Sequence, residues 1–258
     1  MTGTRAAPQG LALRTHRAWR RRAFPVPFVV RRFIARTAKG HIEGRPRVCL
    51  DVGAGTSPYR ASLVEQLGVG RYVGLELAPS DATDVVADAR RLPFADGSLD
   101  LVVCFEAIQH IPDAARVLDE MTRVLRPEGH VLISFPFLYG ECDVRDFYRW
   151  TLSGMRQELE RRGLRVLAAE GRGGPLFAVA SLLHWALQHL VPGGRRSWRA
   201  RRGAAAAARE ALLLVLTLPT LALQWLALGL DAVLPRGGLY AGGLVLARAA
   251  RTPAKGIA

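Results

Sequence analysis

Residues 48–60, VCLDVGAGTSPYR, place Asp51 and two closely spaced glycines at the end of a short apolar run. Gly53 and Gly55 let the backbone pass close to a ligand, and the helix expected after them offers free amide donors. The third glycine of the dinucleotide fingerprint is missing, because Pro58 stands at that position, and this disfavours an NAD or FAD site. The stretch alone is compatible with a ligand-binding turn or with a tight turn that binds nothing.

Two further acids follow apolar runs. Glu76 lies near the end of RYVGLEL (71–77), and Asp88, followed by Ala89, lies at the end of DVVADA (84–89). An acid at the position of Glu76 can bind both hydroxyls of an adenosine ribose. Asp88 can accept from an adenine amino group while the backbone pairs with the ring, and its alternative role is that of a solvated turn carboxylate. These residues point to an adenosine-containing ligand.

Strand and helix patterns alternate around these residues, which indicates an α/β fold with a doubly wound parallel sheet covered on both faces. The short apolar runs predict strands, and the stretches between them carry apolar residues at helical spacing, with Thr151 as a helix cap. The predicted strands are 47–52, 71–77, 84–89, 99–105, 130–135 and 164–170, and the predicted helices are 58–68, 112–129 and 151–163.

Four pieces taken in order, DVGAG, GLEL, ADARRLPFADGSLDLVV and RVLRPEGHVLIS, carry a family resemblance across about 47–170. In this order they resemble class I S-adenosylmethionine-dependent methyltransferases, particularly the methyltransferase type 11 group. The resemblance implies a Rossmann-like sheet of seven strands, the last one antiparallel, and S-adenosylmethionine as the cofactor. The chain departs from the family pattern at Glu76, where Asp is commoner, and at Ala54, where Cys is frequent.

The resemblance also implies roles for individual residues. For Glu106 the alternative is an interaction with a helix dipole. The implied cofactor contacts are Asp51, Gly53 and Gly55 under the methionine portion, Glu76 at the ribose, Asp88 and Ala89 at the adenine, and Phe105 and Glu106 beside the reacting methyl.

Methyl transfer from a sulfonium is an in-line displacement, so placing the acceptor supplies much of the acceleration, and a hydroxyl acceptor also benefits from a base. His110, in AIQHIPD, is the candidate base, with a structural histidine as the alternative. The loop FPFLYGECDVRDFYRWT (135–151) resembles the dyyRwT loop of type 11 enzymes. Tyr148 and Arg149 are therefore predicted to shape the acceptor pocket, Arg149 by binding an anionic group, or else to belong to a packed loop.

No metal site is predicted. The three cysteines, Cys49, Cys104 and Cys142, are scattered and odd in number, and the histidines form no paired motif. Cysteines inside apolar runs indicate reduced, buried thiols in a cytosolic protein.

Charge divides the chain into an acidic middle and two basic flanks. The net charge is +11 over 1–47, −6 over 48–170 and +9 over 171–258. We expect a basic amphipathic arm at 1–46, a methyltransferase core at 47–172, a hydrophobic helical insert at 173–237, and the final strand with its tail at 238–258. The last strand is LVLARAA (244–250), so the insert separates the last two strands and begins at the ligand-binding edge of the sheet.

The insert contains ALLLVLTLPTLALQWLALGL (211–230), 20 residues without a charge, which is long enough to cross ~30 Å of hydrocarbon as a helix. Two crossings would place the five arginines within 195–202 on the far side, against the positive-inside tendency. A monotopic, re-entrant or in-plane hairpin is therefore favoured over a spanning one. The alternative is a buried core hairpin.

The N-terminal arm mixes Trp19, Phe24, Phe28 and Phe33 with arginines, which suits an anionic membrane surface. A nucleic-acid partner is disfavoured, because it does not explain the charge-free segment. The sequence thus predicts a methyltransferase at the cytoplasmic face of the membrane that acts on a lipid-linked, glycan or other membrane-derived acceptor. The alternatives are a soluble small-molecule acceptor with the insert as a tether, or a cofactor-binding scaffold without catalysis.

Overall fold

The computed structural model describes residues 25–141, 144–190, 204–234 and 238–250. Seven strands form one sheet in the order β3-β2-β1-β4-β5-β7-β6. β7 runs antiparallel to both of its neighbours, and the other strands share one direction. The predicted seven-stranded sheet with its last strand antiparallel is confirmed. The strands are β1 Val48–Val52, β2 Arg71–Glu76, β3 Val85–Val86, β4 Leu99–Phe105, β5 Leu125–Pro136, β6 Leu164–Arg172 and β7 Gly242–Ala249.

Helices cover both faces of the sheet. The Asp113 carboxylate caps the third helix by accepting from the Arg116 amide, and Thr151 caps the fourth by accepting from the Gly154 amide, as the sequence predicts for Thr151. The helices are α1 Pro25–Phe33, α2 Arg60–Leu67, α3 Ala114–Val124, α4 Leu152–Glu160, α5 Pro175–Leu190 and α6 Ala204–Asp231. Helix α1 continues through a π-helical turn, Ile34–Ala38, and a last turn, Lys39–His41.

Each face of the sheet has its own apolar core. Helices α3 and α4 cover one face with side chains such as Met121 and Met155. On the other face, α1 and α2 pack Phe33, Ile34 and Leu63 against the strands. Because strands β1 and β4 are buried on both faces, they read as continuous apolar runs in the sequence.

Some local predictions are corrected by the structure. The strand predicted at 84–89 contains only Val85–Val86, because this edge strand pairs with β2 alone. The helix predicted to reach Gly129 ends at Val124, where β5 begins. Phe33, predicted to face a membrane surface, is buried in the core, whereas Phe28 is 45% exposed. Trp19 and Phe24 lie outside the described residues.

Helices α5 and α6 lie between β6 and β7 and pack against each other. We call this pair the helical hairpin. Among the residues that the structure describes, no helix has both the length and the apolar character needed to cross a membrane. The five arginines at 195–202 lie outside the described ranges.

Candidate functional site

The glycine turn, residues 53–58, lies at the carboxyl end of β1. Gly53 and Gly55 both have positive φ, +74° and +59°. A Cβ on Gly53 would lie 2.4 Å from the Ala107 Cβ, whereas a Cβ on Gly55 would meet nothing within 4 Å. Gly53 is therefore required by packing, and Gly55 leaves open space above the turn. Open space over a tight glycine turn suits the close approach of a ligand.

Glu76, at the end of β2, reaches over this turn. Its carboxylate accepts a hydrogen bond from the Gly55 amide. The acid predicted to bind a ribose and the glycine predicted to pass under the cofactor are thus brought into contact, although 21 residues separate them in the chain. Their roles toward a ligand stay predictions.

Asp51 lies inside β1 and is buried. It accepts a hydrogen bond of 2.6 Å from the Tyr72 hydroxyl. Burial raises the pKa of Asp51 to about 7, the Tyr72 hydrogen bond opposes this shift, and the charge of Glu76 adds to it. The bond between its carboxylate and Tyr72 connects β1 to β2 just before the turn. The predicted contact of Asp51 with the methionine portion stays a prediction.

Asp88 follows β3 and is engaged within its own turn. Its Oδ2 lies 2.6 Å from Arg90 Nη2, and its Oδ1 accepts from the Arg90 amide at 2.9 Å. The hydrogen bonds from Arg90 lower the pKa of this carboxyl, the side-chain bond having the larger effect. Ala89 is buried beside it. An adenine amino group would share Asp88 with Arg90, and that contact stays a prediction.

Glu106 follows β4 and has a φ of +53°. Its Oε1 accepts from the Ser134 hydroxyl at 2.8 Å and also forms an ion pair with Arg172 Nη1. Neither the predicted cofactor contact nor the alternative helix-dipole role anticipated this pairing. Ser134 in β5 and Arg172 in β6 therefore fix Glu106 at the carboxyl edge of the sheet.

Arg172 is only 3% exposed, and its Nε has no hydrogen-bond partner in the described part of the chain. Burial alone would lower its pKa, but the charge of Glu106 and the hydrogen bond to it more than offset this, so the guanidinium stays charged. Gly242 leaves space for the Arg172 guanidinium, because a Cβ at position 242 would lie 2.6 Å from Arg172 Nη2.

Two aromatic rings form the wall beside this ion pair. Phe105 contacts Tyr59 edge to face, with the ring centroids 4.8 Å apart. Burial, and then the charge of Glu106, raise the pKa of Tyr59, so its hydroxyl stays protonated at neutral pH. The predicted cofactor residue Phe105 thus lies next to Tyr59, the residue between the glycine turn and α2.

His110 lies in a 3₁₀ turn, Ile108–His110, just beyond β4. Its Nδ1 lies 3.2 Å from the carbonyl oxygen of Arg145. A carbonyl can only accept, so Nδ1 carries the proton and the neutral ring keeps Nε2 as an acceptor. This tautomer is the one that a base requires, and a structural histidine would adopt it as well.

The acceptor loop, residues 137–151 without the undescribed 142–143, is fixed by its own polar contacts. The Tyr148 hydroxyl accepts from the Asp113 amide, and its ring stacks on Trp150 at 5.1 Å. The Arg149 guanidinium pairs with Asp146 and donates to the carbonyl groups of Tyr139 and Gly140. Arg149 therefore shapes this loop, and its predicted contact with an anionic acceptor stays a prediction.

The helical hairpin borders this loop. A Cβ on Gly140 would lie 1.9 Å from the Trp185 ring of α5, so the loop backbone packs directly against that ring. Arg172 ends β6, and α5 begins three residues later at Pro175. The hairpin therefore starts beside the candidate site.

Sequence reasoning missed Arg172, Tyr59 and Ser134. One signal for Arg172 was present: it ends a strand parallel to β1, and parallel strands present their carboxyl ends at one edge. No motif marks the other two residues.

Metal ligands and cysteines add nothing to this site. Within the described ranges, no group of three or more His, Cys, Asp or Glu residues could hold a metal ion. Cys49 and Cys104 are free and buried, and burial is the main cause that raises the pKa of each thiol. Cys142 lies outside the described residues.

Comparison with known proteins agrees with this geometry. A family model described as a methyltransferase domain matches residues 50–133. An uncharacterized methyltransferase of Mycobacterium leprae is 34% identical over 106 residues, which cover 36% of this chain and 39% of the relative. The match thus spans about two fifths of that relative's length.

Solved structures share the fold. A putative sarcosine dimethylglycine methyltransferase from Galdieria sulphuraria superposes with a TM-score of 0.55 at 21% identity, covering 87% of this chain and 86% of that one. Phosphoethanolamine N-methyltransferase 2 of Haemonchus contortus, in complex with S-adenosyl-L-methionine, superposes with a TM-score of 0.51 at 17% identity, covering 86% and 51%. At these identities the likeness concerns the fold alone.

Residues 50–133 match the methyltransferase domain family. The order of the seven strands and the single antiparallel strand give the chain the Rossmann-like sheet that it shares with the solved methyltransferase structure.

Proposed function

We propose that this chain binds S-adenosylmethionine over the glycine turn and transfers its methyl group to an acceptor at the carboxyl edge of the sheet. The observation that carries the proposal is the contact between Glu76 and the Gly55 amide above open space. In this arrangement an acidic side chain lies beside the turn, where it can accept hydrogen bonds from a ribose diol. When bound, the cofactor supplies an electrophilic methyl group on a sulfonium.

The residues at this edge fit that cofactor. Gly55 leaves the room, Glu76 supplies acceptor oxygens for the ribose, and Asp88 with Ala89 follow the neighbouring strand, on the adenine side. Glu106 places a carboxylate held by Ser134 and Arg172 where the reacting end would lie. A negative charge near a sulfonium favours binding of the cation, and Arg172 keeps that charge in one position.

The protein's part in the chemistry is mainly placement. The acceptor loop and the 3₁₀ turn that carries His110 are joined by the contact to the Arg145 carbonyl. For a hydroxyl acceptor, His110 Nε2 would take the hydroxyl proton as the carbon–oxygen bond forms and the carbon–sulfur bond breaks with release of S-adenosylhomocysteine, a contribution of about 10²–10⁴-fold where the geometry allows it. An amine that is already neutral needs no base at this point.

We further propose that the acceptor is lipid-linked or otherwise membrane-derived, and that the helical hairpin lies at the cytoplasmic face of the membrane. The hairpin supports this because part of its polarity is reversed relative to a helix pair in water, where the helices bury apolar side chains and expose polar ones. Its helices bury polar side chains between them: His184 contacts Thr220 at 2.6 Å, and Gln188 donates to Thr217 at 2.8 Å.

Apolar side chains point outward from the same helices. Polar groups that bond across a helix pair, with apolar residues outside, are typical of helices in an apolar medium. Exposed apolar residues of the described hairpin are Leu176, Val179, Leu182, Leu183, Leu190, Leu212, Val215, Leu218, Leu223, Trp225, Leu226 and Leu230. An in-plane or re-entrant hairpin beside the site would let a lipid tail stay in the bilayer while the polar head reaches the methyl group.

The test incubates the full chain with radiolabelled S-adenosylmethionine and with separate lipid, glycan and soluble extracts. Label transferred to the lipid or lipid-linked glycan fraction supports the full proposal. Transfer of label only to a soluble compound would support the proposed methyltransferase activity and overturn the proposal of a membrane-derived acceptor. Cofactor binding without transfer to any fraction would indicate a scaffold and overturn the proposed catalysis.

A further inference from the structure

A cavity of about 380 Å³ lies on the face of the sheet that α1 covers. One wall is formed by α1 and its π-helical turn, and the other by the end of α6 with the connection from β6 to α5. The lining of the cavity includes Phe28, Arg32, Arg36, Glu170, Leu228 and Asp231. The volume is within the range of small-ligand pockets.

Two arginines line this cavity without a counter-ion. Arg32 and Arg36 are four residues apart, both are exposed, and neither forms a hydrogen bond or ion pair with the described residues. Their neighbour Arg31, in contrast, donates to the carbonyl oxygen of Pro58 at 3.1 Å. A pair of guanidinium groups on one wall can bind a phosphate through several charge-assisted hydrogen bonds.

The two carboxylates of the cavity are already engaged with neutral donors. Asp231 accepts from the amides of Gly174 and Phe177, each at 2.8 Å, and from the Leu176 amide at 3.2 Å. These amides begin α5, so the helix dipole stabilises the charge of Asp231. Glu170 accepts from the hydroxyl of Thr37. Both acids keep their negative charge, but neither forms an ion pair with Arg32 or Arg36, so both guanidinium groups keep their donors available for a ligand.

The cavity also has an apolar side. Phe28 packs edge to face on Trp225 of α6, with centroids 5.2 Å apart, although both rings are substantially exposed. Leu228 lies on the same helix and lines the cavity. From there the apolar surface continues along the outward leucines of the hairpin. Cationic groups next to exposed aromatic and aliphatic side chains match a lipid headgroup next to its acyl chains.

We infer that this cavity binds the phosphate of an anionic phospholipid, with Arg32 and Arg36 on the phosphate and Phe28, Trp225 and Leu228 along the upper acyl chains. The inference rests on the membrane association proposed above and not on methyl transfer. A soluble phosphate would use the arginines alone and would leave the apolar wall without a role. Since Arg31 of the same helix holds the Pro58 carbonyl, the lipid site would be joined rigidly to the glycine turn.

The experiment measures binding of the full-length chain to vesicles of phosphatidylcholine with and without 30% phosphatidylglycerol, by co-sedimentation at about 0.15 M salt. The variant is Arg32→Gln with Arg36→Gln. The matched control is Arg71→Gln with Arg165→Gln, two exposed arginines at the opposite, amino-terminal edge of the sheet. Cofactor binding is measured on each protein to show that it is folded.

We expect the Arg32/Arg36 variant to bind anionic vesicles about 30-fold more weakly, since each cation near an anionic surface contributes about fivefold. The control should bind within about threefold of the unmodified chain, and neutral vesicles should bind all three proteins weakly. Equal loss in both double variants would mean a general charge effect and would overturn the inference. The inference would also be overturned if millimolar inorganic phosphate alone abolished binding of the unmodified chain to anionic vesicles. That result would indicate a site for a soluble anion.

The outcomes separate this site from the proposed function. If the unmodified chain binds anionic vesicles and the Arg32/Arg36 variant binds equally well, only the lipid site is wrong. If no protein binds any vesicle while all bind the cofactor, the membrane association and this inference both fail, and the methyltransferase proposal stands.

Discussion

The Arg172 guanidinium and the Glu106 carboxylate form an ion pair at the carboxyl edge of the sheet, although 66 positions separate them in the chain. Arg172 is nearly inaccessible, whereas about a quarter of the Glu106 side chain is exposed, at 27%. A buried charge requires its partner, since an uncompensated ion in the interior costs several kcal/mol. The pair therefore couples strand β6 to the end of β4, where the acceptor would meet the cofactor.

This coupling can be measured with a double-mutant cycle. Arg172→Met leaves the Glu106 carboxylate beside an apolar group, and Glu106→Gln leaves the Arg172 charge buried without its counter-ion. We expect Glu106→Gln to lower the free energy of unfolding by about 3–5 kcal/mol and Arg172→Met by less, because Glu106 reaches solvent. The double variant should be more stable than the sum of the two losses predicts. Strict additivity in urea denaturation would show that the pair contributes no coupling.

Glu76 provides the most direct test of the cofactor site. Glu76→Ala removes the charged acceptor expected at the ribose, a loss of about 1.5–3 kcal/mol per charge-assisted hydrogen bond, or roughly 10- to 150-fold in affinity. Isothermal titration calorimetry with S-adenosylhomocysteine measures this change. Glu65→Ala, at an exposed position of α2, is the control and should bind as the unmodified chain does. Unchanged affinity in a folded Glu76→Ala protein would sink the assignment.

His110 is tested by separating turnover from binding. If Nε2 takes a proton from the acceptor, His110→Ala should lower kcat by about 10²–10⁴-fold and leave cofactor affinity unchanged. His110→Gln retains a donor for the Arg145 carbonyl and should be equally inactive, which distinguishes a base from a residue that only holds the loop. Recovery of activity in the glutamine variant would assign a structural role.

The raised pKa of Asp51 leads us to expect that the free energy of unfolding depends on pH. Its pKa is about 7 in the folded protein, against a reference of 3.8, so the folded state binds more protons than the unfolded state between these values. The free energy of unfolding should therefore decrease as the pH rises from about 4 to about 7, and the penalty is fully present above pH 7. Asp51→Asn keeps an acceptor for Tyr72 and removes this titration.

Relative to the unmodified chain, the Asp51→Asn protein should gain stability, on the order of a few kcal/mol, on going from pH 5 to pH 8. Urea denaturation of both proteins at the two pH values measures this difference, in which the other titrating groups cancel. A constant difference between the two proteins would mean that Asp51 titrates near its ordinary value.

Local patterns predicted the parts of the site that lie within single motifs. Gly53, Gly55 and Glu76 could be singled out because strand ends and glycine spacing are readable over a few residues. The structure brings Glu76 into contact with Gly55, and the roles of all three toward a cofactor stay predictions. The Glu106–Arg172 contact was not predictable in the same way, because it depends on how β6 aligns with β4 across two intervening strands. The burial of Phe33 was missed for a related reason: the arm is basic in composition, but one side of α1 packs on the sheet.

The hairpin offers the prediction that depends least on family likeness. Its outward face is tested by replacing Val179, Leu183, Leu223 and Leu226 with serine or glutamine, all four being exposed. In water, exposed apolar side chains contribute little to stability, so each change should alter the free energy of unfolding by no more than about 0.5 kcal/mol. In a bilayer interface, each of these side chains contributes up to roughly 1.5–3 kcal/mol of binding when fully buried.

The quadruple variant, with all four residues replaced, should therefore keep its fold and its cofactor affinity, lose binding to vesicles, and methylate lipid-extract acceptors poorly. A control with Val64 and Val86 replaced in the same way changes exposed apolar residues of α2 and β3, outside the hairpin, and should retain all four properties. The polar contacts of His184 with Thr220 and of Gln188 with Thr217 are untouched in both variants, so the hairpin keeps its internal bonds. Full vesicle binding by the quadruple variant would show that this face of the hairpin does not contact the membrane. The exposed apolar side chains would then be assigned to contact with a protein.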